Sequence, residues 1–276
     1  MQKTVTKEKN AKKNTRKDVK KNTKKHIKIN TKKHIKKNTL IKRLEEGLKN
    51  WFFPRHCPVC DTVLGGNQLI CPECKDIPRL VKAPRCVSCG KHLERQEQVR
   101  CRDCGGKVRN FEWGIALYEY ASVHDSVHRF KNLGRAEYAE FYGEEIRRFL
   151  LPAIARMKGD ALVPIPLHRS KLNRRGYNQA TLLAREISKG SGIPVREDIL
   201  IRVKKTASQK QMDHSTRQNN MKKAFHMVQN DVKLKTIILV DDVFTTGNTI
   251  EAAAEVLRRG GVEKVYFIAL AIGKGL

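Results

Sequence analysis

The stretch "KTIILVDDVFTTGNTIEAAAEVLRRGG", residues 235–261, decides the fold. Its aliphatic and β-branched run "TIILV" predicts a buried strand, and "TIEAAAEVLRRGG" predicts a helix that ends at two glycines. Asp241 and Asp242 lie between them, where we expect the strand to end. The turn and the start of the helix then carry hydroxyl, glycine and amide residues: Thr245, Thr246, Gly247, Asn248 and Thr249.

Strands and helices alternate on both sides of this stretch. The segments "FEWGIALYEY", "DALVPIP" and "VYFIALAI" predict strands, and "DSVHRFKNLGRAEYAEFYGEEIRRFLLPAIARM" predicts helices with a break near Gly134. This alternation favours a mostly parallel, doubly wound α/β sheet over residues 111–276. Ligands of such sheets bind at the carboxyl ends of the strands, so the loops there are the candidate site.

The acidic pair and the turn after it predict a phosphorylated ligand. Backbone N–H groups and hydroxyls at a helix N-terminus bind phosphate. Asp241 and Asp242 can accept hydrogen bonds from two ribose hydroxyls, and they can attract a magnesium ion through water. The alternative is a helix cap beside two solvated acids. The sequence contains neither a P-loop motif nor a dinucleotide-binding fingerprint.

A second loop at the end of a predicted strand, in "VPIPLHRSKLNRRGYNQA", is densely cationic. Such a loop suits a highly charged anion such as diphosphate, although a basic surface loop is the alternative. Its candidate ligand-binding residues are Arg169, Lys171, Arg174 and Arg175.

Four Cys-x-x-Cys pairs, separated by 10 or 11 residues, precede the α/β domain. The cysteines are Cys57, Cys60, Cys71, Cys74, Cys86, Cys89, Cys101 and Cys104. Two such pairs complete a tetrahedral four-sulfur site with no position left for water, so four pairs predict two structural zinc ions. We expect this double zinc ribbon to occupy residues 44–110. Pairing in sequence order is favoured, and an interleaved pairing stays open.

The chain carries a net charge of +29, and residues 1–43 contribute 18 Lys or Arg against two acids. This segment contains a Lys-rich octapeptide repeat with Asn at positions 14, 22, 30 and 38. Its few apolar groups predict a disordered tail, either a sequence-independent arm for nucleic acid or a solvated extension. No apolar run is long enough to span a membrane, and no signal peptide precedes the domains, so we expect a cytoplasmic protein with reduced thiols.

These motifs, in this order over roughly residues 50–276, resemble the ComF family of competence proteins. "ILVDDVFTTGNT" is similar to the 5-phosphoribosyl-1-diphosphate (PRPP) signature of type I phosphoribosyltransferases, and the cysteine pairs precede it as in ComF proteins. The resemblance implies a type I phosphoribosyltransferase-like fold that binds PRPP with magnesium. It implies that Asp241 and Asp242 hold the ribose diol, that residues 245–249 hold the 5′-phosphate, and that residues 169–175 hold the diphosphate.

The resemblance also implies a mobile loop in "TASQKQMDHSTRQNNMKKAF" that closes over the substrate. The residues that match the family pattern there are Thr206, Gln209, Arg217 and Asn220. Lys131 matches a family lysine that follows the first helix. Met212 stands where the family usually has Leu, and Asn132 stands where an aromatic residue is common.

The resemblance implies a role in natural transformation, in which DNA taken up as a single strand is handled beside a ComFA-like helicase partner. The favoured function is an enzyme that transfers a phosphoribosyl group from PRPP to an acceptor that the resemblance does not supply. The alternatives are a non-catalytic accessory protein that binds single-stranded DNA and a regulator that senses PRPP without turnover. His168 and His214 lie in the implied loops, but ordinary loop histidines would fit there equally well.

Overall fold

The computed structural model describes residues 54–203, 224–228 and 234–273. Residues 55–276 belong to one compact unit. The predicted tail, residues 1–43, and the predicted mobile-loop residues Thr206, Gln209, Arg217 and Asn220 lie outside the described residues. The predicted boundary between a ribbon module and an α/β domain at residues 110 and 111 stays a prediction.

Six strands and five α-helices run through the described residues, after a short 3-10 turn at Pro72–Cys74. In chain order they are β1 (Gly114–Glu119), α1 (Tyr120–Asn132), α2 (Tyr138–Met157), β2 (Ala161–Pro164), α3 (Arg169–Arg175), α4 (Gln179–Ser191), β3 (Leu200–Arg202), β4 (Phe225–Met227), β5 (Thr236–Phe244), α5 (Asn248–Arg259) and β6 (Lys264–Ile272). The predicted break near Gly134 is confirmed, because α1 ends before it and α2 begins after it.

The central sheet has the order β1-β6-β5-β2, and all of its strand pairs are parallel. Residues of β5 alternate between two cores: Ile237 and Leu239 pack on the α5 side, and Ile238 and Val240 pack on the side of α1, α2 and α4. Because both faces of the sheet are covered, successive side chains of β5 are all buried, and the strand needs an uninterrupted apolar run. Burial of each such side chain contributes about 1.5–3 kcal/mol. The predicted parallel, doubly wound α/β fold is confirmed. β3 and β4 form a separate antiparallel pair.

β5 extends further than the sequence predicted. It continues through Asp241 and Asp242 to Phe244, because β6 runs beside it as far as the pairing of Phe244 with Ile272. On its other side, β2 ends at Pro164, opposite Val240. The acidic pair therefore lies within a strand, but beyond the carboxyl end of the neighbouring strand, where a ligand can approach.

The two cysteine-rich segments pack differently on the α/β domain. The first forms its own small cluster, which includes Cys57, Leu64 and Cys74. The second is built into the core on the α5 side of the sheet, and it is tied to β1 by a hydrogen bond from Gly114 N to Ser88 O of 2.9 Å. Loss of structure in the second segment would therefore expose part of the central core.

Candidate functional site

A pocket of about 260 Å³ lies at the carboxyl ends of β2 and β5. Its walls come from the sheet, from α1, α3, α4 and α5, and from the end of β3. The lining residues are Lys131, Ile165, Leu167, Lys171, Arg175, Asn178, Ala180, Arg202, Asp241, Asp242, Val243 and Thr249. This position, beyond the strand ends of a doubly wound sheet, is where ligands of such folds bind.

The acidic pair forms the floor of the pocket and is not simply solvated. The Asp241 side chain is partly buried, and its Oδ1 accepts a hydrogen bond from Asp242 N at 2.8 Å. Asp242 Oδ1 lies 2.8 Å from Lys131 Nζ at the end of α1. Burial raises the pKa of Asp241 to about 7, and the charge of Asp242 adds to this, whereas Lys131 and Arg202 oppose it. A bound cation or a hydroxyl donor would therefore relieve an unfavourable charge.

The turn after β5 holds its shape through close backbone packing. Gly247 precedes α5 with φ of 85°, and a Cβ at this position would lie 2.6 Å from the ring of Phe244. No side chain of the described residues caps the N-terminus of α5. Its first N–H groups are therefore available to an anion, and the phosphate role of residues 245–249 stays a prediction.

The predicted diphosphate loop is largely a helix, α3. Lys171 and Arg175 line the pocket, whereas Arg169 and Arg174 are exposed to solvent. Residues four apart share one face of a helix, so the helical turn brings two of the four cations to the pocket. Burial lowers the pKa of Lys171, with neighbouring cations adding to the effect, and burial also lowers the pKa of Arg175. An anionic ligand would stabilise both charged groups.

Side-chain amides connect this helix to its neighbours. Arg175 Nη1 donates to Gln179 Oε1 at 2.9 Å, and Gln179 Nε2 donates to Lys131 O at 3.2 Å. Asn178 caps α4 by accepting from Ala180 N at 3.2 Å. Gln179 therefore links the Arg175 side chain to the backbone of Lys131, and both of these cationic residues line the pocket.

Arg202 is a pocket residue that the sequence reasoning missed. It ends β3, its guanidinium lies 5.2 Å from the centre of the Phe225 ring, and burial lowers its pKa while Asp241 opposes that change. Val203 N donates to Ala224 O at 3.0 Å, so the segment that carries the predicted mobile loop leaves and rejoins the described structure beside the pocket. A cation directly before that loop was the available signal.

His168 has a structural role in the described residues. It precedes α3, and its Nδ1 accepts from Ser170 N at 3.2 Å. This contact agrees with an ordinary loop histidine, the alternative to a catalytic role that the sequence left open. His214 lies outside the described residues.

The eight cysteines form two tetrads that suit zinc. Within each tetrad the sulfur atoms lie within 4.8 Å of one another, and Sγ–Sγ distances of 3.6 Å join Cys60 to Cys71 and Cys89 to Cys101. Zinc–sulfur bonds of about 2.3 Å in a tetrahedron require sulfurs about 3.8 Å apart, so the geometry fits. The tetrads follow sequence order, which excludes the interleaved pairing: Cys57, Cys60, Cys71 and Cys74 form one, and Cys86, Cys89, Cys101 and Cys104 form the other.

A membrane-spanning helix does not occur in the described parts of the chain, where each helix is too short or too polar for that role.

Two family models match the chain. The double zinc ribbon domain matches residues 48–105, and the phosphoribosyl transferase domain matches residues 172–275. Among curated proteins, Competence protein F of Haemophilus influenzae is 30% identical over 209 residues, which cover 72% of this chain and 89% of that protein. DNA utilization protein YhgH of Escherichia coli K12 is 28% identical over 77% of this chain and 94% of its own length. Competence protein ComFC of Bacillus subtilis is 27% identical over 72% of this chain and 82% of its own length.

Proposed function

This chain belongs to the ComF family of competence proteins, and we propose on that premise that its phosphoribosyltransferase-like domain binds PRPP with magnesium in the pocket at the ends of β2 and β5. The observation that carries the proposal is the convergence of three different groups there. An acidic pair, a helix N-terminus without a side-chain cap and the cations of α1 and α3 surround one cavity of about 260 Å³. Ribose hydroxyls, a 5′-phosphate and a diphosphate require those three chemistries.

Each part of the ligand has its own partners. Asp241 and Asp242 accept hydrogen bonds from the ribose diol, and the backbone N–H groups of residues 245–249 hold the 5′-phosphate. Lys171 and Arg175, which line the pocket, neutralise the diphosphate, and Lys131, 2.8 Å from Asp242 Oδ1, adds a third positive charge to the pocket. Asp241 and Asp242 would hold, through water, the magnesium ion that accompanies PRPP, and that ion would offset their negative charge.

The reaction that this arrangement favours is transfer of the phosphoribosyl group. An acceptor nucleophile forms a bond to the anomeric carbon, the bond from that carbon to the diphosphate oxygen breaks, and diphosphate leaves with the electron pair. The pocket contributes position and charge neutralisation, which supply most of the rate enhancement in such reactions. A regulator that binds PRPP without turnover would use the same groups, and release of diphosphate distinguishes the two.

We also propose that each cysteine tetrad holds one structural zinc ion. Four sulfur ligands leave no coordination position for substrate or water, so the metal stabilises the ribbons and takes no part in transfer. The first ribbon has a small core and requires a structural metal ion, because a segment of this size buries too little apolar surface to fold alone.

Calorimetric titration with PRPP and magnesium tests the ligand site. We expect the zinc-loaded protein to bind and the Asp241→Asn/Asp242→Asn variant to bind more than about 100-fold more weakly, since each hydrogen bond to a charged group contributes about 1.5–3 kcal/mol. The matched control is Asp125→Asn/Asp198→Asn, which removes two exposed acids outside the pocket and should bind as the wild type does. Absence of binding by the wild type would refute the proposal.

A second candidate function is contact with single-stranded DNA, beside a ComFA-like helicase partner. Two relatives are named competence proteins and a third a DNA utilization protein. Around the second tetrad, Arg100, Arg102 and Lys107 are exposed, and Val99 and Val108 are exposed at 62% and 98%. Replacement of the three cations by Ser should weaken binding of single-stranded DNA and reduce its salt dependence. Unchanged binding by this variant would exclude the surface.

A further inference from the structure

The second ribbon reaches the phosphate-binding turn through Lys91. Its Nζ lies 2.5 Å from Asp103 Oδ2 and donates to the Thr245 carbonyl oxygen at 3.4 Å. Lys91 is only 6% exposed, so water competes little for these bonds. Lys91 follows Cys89 by two residues, and Asp103 directly precedes Cys104, so both ends of the ion pair are set by the tetrad.

The same ribbon holds the other side of the turn through Glu251, in the first turn of α5. Glu251 Oε1 accepts from Asn110 N at 3.0 Å and from Asn110 Nδ2 at 2.6 Å. Arg109 Nη1 lies 3.8 Å from Glu251 Oε2, and Arg109 Nη2 donates to Asp103 O at 2.6 Å. Residues 103–110 therefore connect the last cysteine pair to the helix whose N-terminus would bind the 5′-phosphate.

An aromatic stack supports the turn between these two contacts. Phe111, next to Asn110, packs edge-on against Phe267 with centroids 5.1 Å apart, and Phe267 stacks on Phe244 at 4.6 Å. The Phe244 ring in turn packs against Gly247. The second ribbon thus contacts the turn through polar groups at both ends, and rings of the adjoining α/β domain pack against it.

The first ribbon makes a different set of contacts. Its Asp61 lies 2.8 Å from Arg135 Nε and accepts from Tyr138 Oη at 2.6 Å, and its Val59 carbonyl accepts from Arg129. These partners belong to α1, α2 and the turn between them. Among the described residues, the two ribbons therefore contact different parts of the α/β domain.

We propose that the second ribbon positions the phosphate-binding turn, so that zinc in the second tetrad and PRPP in the pocket bind with positive coupling. The proposal rests on the proposed function, since it concerns the same PRPP site. Lys91 does not line the pocket and is a positioning residue: it holds the Thr245 carbonyl and so sets the direction of the N–H groups that follow. A turn that is already oriented loses less entropy when the phosphate binds. Linkage is reciprocal, so PRPP must also strengthen retention of zinc.

The first arm of the test is PRPP affinity in the full-length, zinc-loaded chain. Lys91→Met/Asp103→Asn removes the contact without leaving a lone buried charge. We expect affinity to fall roughly two- to thirtyfold, the range for coupling through packed contacts. The matched control, Asp61→Asn/Arg135→Met, removes the corresponding ion pair of the first ribbon and should keep affinity within about twofold of wild type.

The second arm is zinc release to a zinc-selective dye, with magnesium in excess and with or without PRPP. If Lys91 only stabilised the fold, its replacement would change zinc release by the same amount with and without PRPP. At equilibrium with the dye, we expect PRPP to reduce the release of one of the two zinc ions in the wild type and in the control variant, but not in Lys91→Met/Asp103→Asn.

The outcomes separate the two proposals. If the wild type shows no heat of PRPP binding, the proposed function fails and this inference fails with it. If PRPP binds but reduces the equilibrium release of neither zinc ion, or if both double variants lose affinity equally, the proposed function stands and the coupling is overturned.

Discussion

Binding of PRPP should strengthen as pH rises from 6 to 8, because the ionised carboxylate of Asp241 accepts stronger hydrogen bonds from the ribose than the protonated acid does, and only the ionised form attracts magnesium. Burial raises the pKa of this carboxyl to about 7, Asp242 adds to the effect, and Lys131 and Arg202 oppose it. With a pKa near 7, roughly one tenth of Asp241 is ionised at pH 6 and roughly nine tenths at pH 8. Apparent affinity for PRPP scales with the fraction of the protein in which Asp241 is ionised, so we expect it to rise about tenfold between pH 6 and pH 8.

The assay is calorimetric titration with PRPP and saturating magnesium at several pH values. Phosphate monoesters also titrate near pH 6, so part of any pH dependence belongs to the ligand. The Asp241→Asn variant isolates that part, because it retains the phosphate titration and lacks the carboxyl. We expect the gain in PRPP affinity between pH 6 and pH 8 to be about tenfold larger for the wild type than for the variant. Equal pH dependence in the two proteins would refute the reasoning.

The same pKa predicts an opposite trend for stability without ligand. The pKa of Asp241 is raised in the folded protein from its ordinary value of 3.8, so the folded state binds more protons than the unfolded state between about pH 4 and pH 7. Stability conferred by the protonated carboxyl is therefore lost as pH rises through that window. The midpoint of thermal unfolding should decrease between pH 5 and pH 8, and this decrease should be larger for the wild type than for Asp241→Asn.

Three further predictions concern other parts of the chain. Cys89→Ser should unfold the α/β domain and abolish a cooperative thermal transition, because Cys89 is fully buried in the central core, whereas Cys60→Ser, at an exposed position, should leave that transition in place. Gly247→Ala should weaken PRPP binding and cost at least about 1 kcal/mol in chemical denaturation, because it combines positive φ with a contact to the Phe244 ring. If residues 1–43 make about six phosphate contacts, the logarithm of affinity for single-stranded DNA should fall with the logarithm of salt at a slope near −4. Deletion of this tail should flatten that slope, and an unchanged slope would remove the tail from DNA binding.

Sequence determined the features whose chemistry is local in the chain. The apolar run before Asp241 and Asp242 specified a buried strand, and the glycine-containing turn after it predicted a site for an anion. Cys-x-x-Cys spacing specified four half-sites for a tetrahedral ion, because two residues between thiols bring both to one metal. Each of these depends on neighbours within a few residues, so a pattern in the sequence was sufficient.

Tertiary structure decided which groups meet. Sequence placed four cations in one segment, but the orientation of α3 against the sheet brings Lys171 and Arg175 to the pocket and leaves the other two in solvent. The contact between Lys91 and Thr245 joins residues 154 positions apart. It exists because the second ribbon packs on the face of the sheet beside α5. Such contacts depend on how buried surfaces pack across the whole fold, and the spacing of residues along the chain does not predict that packing.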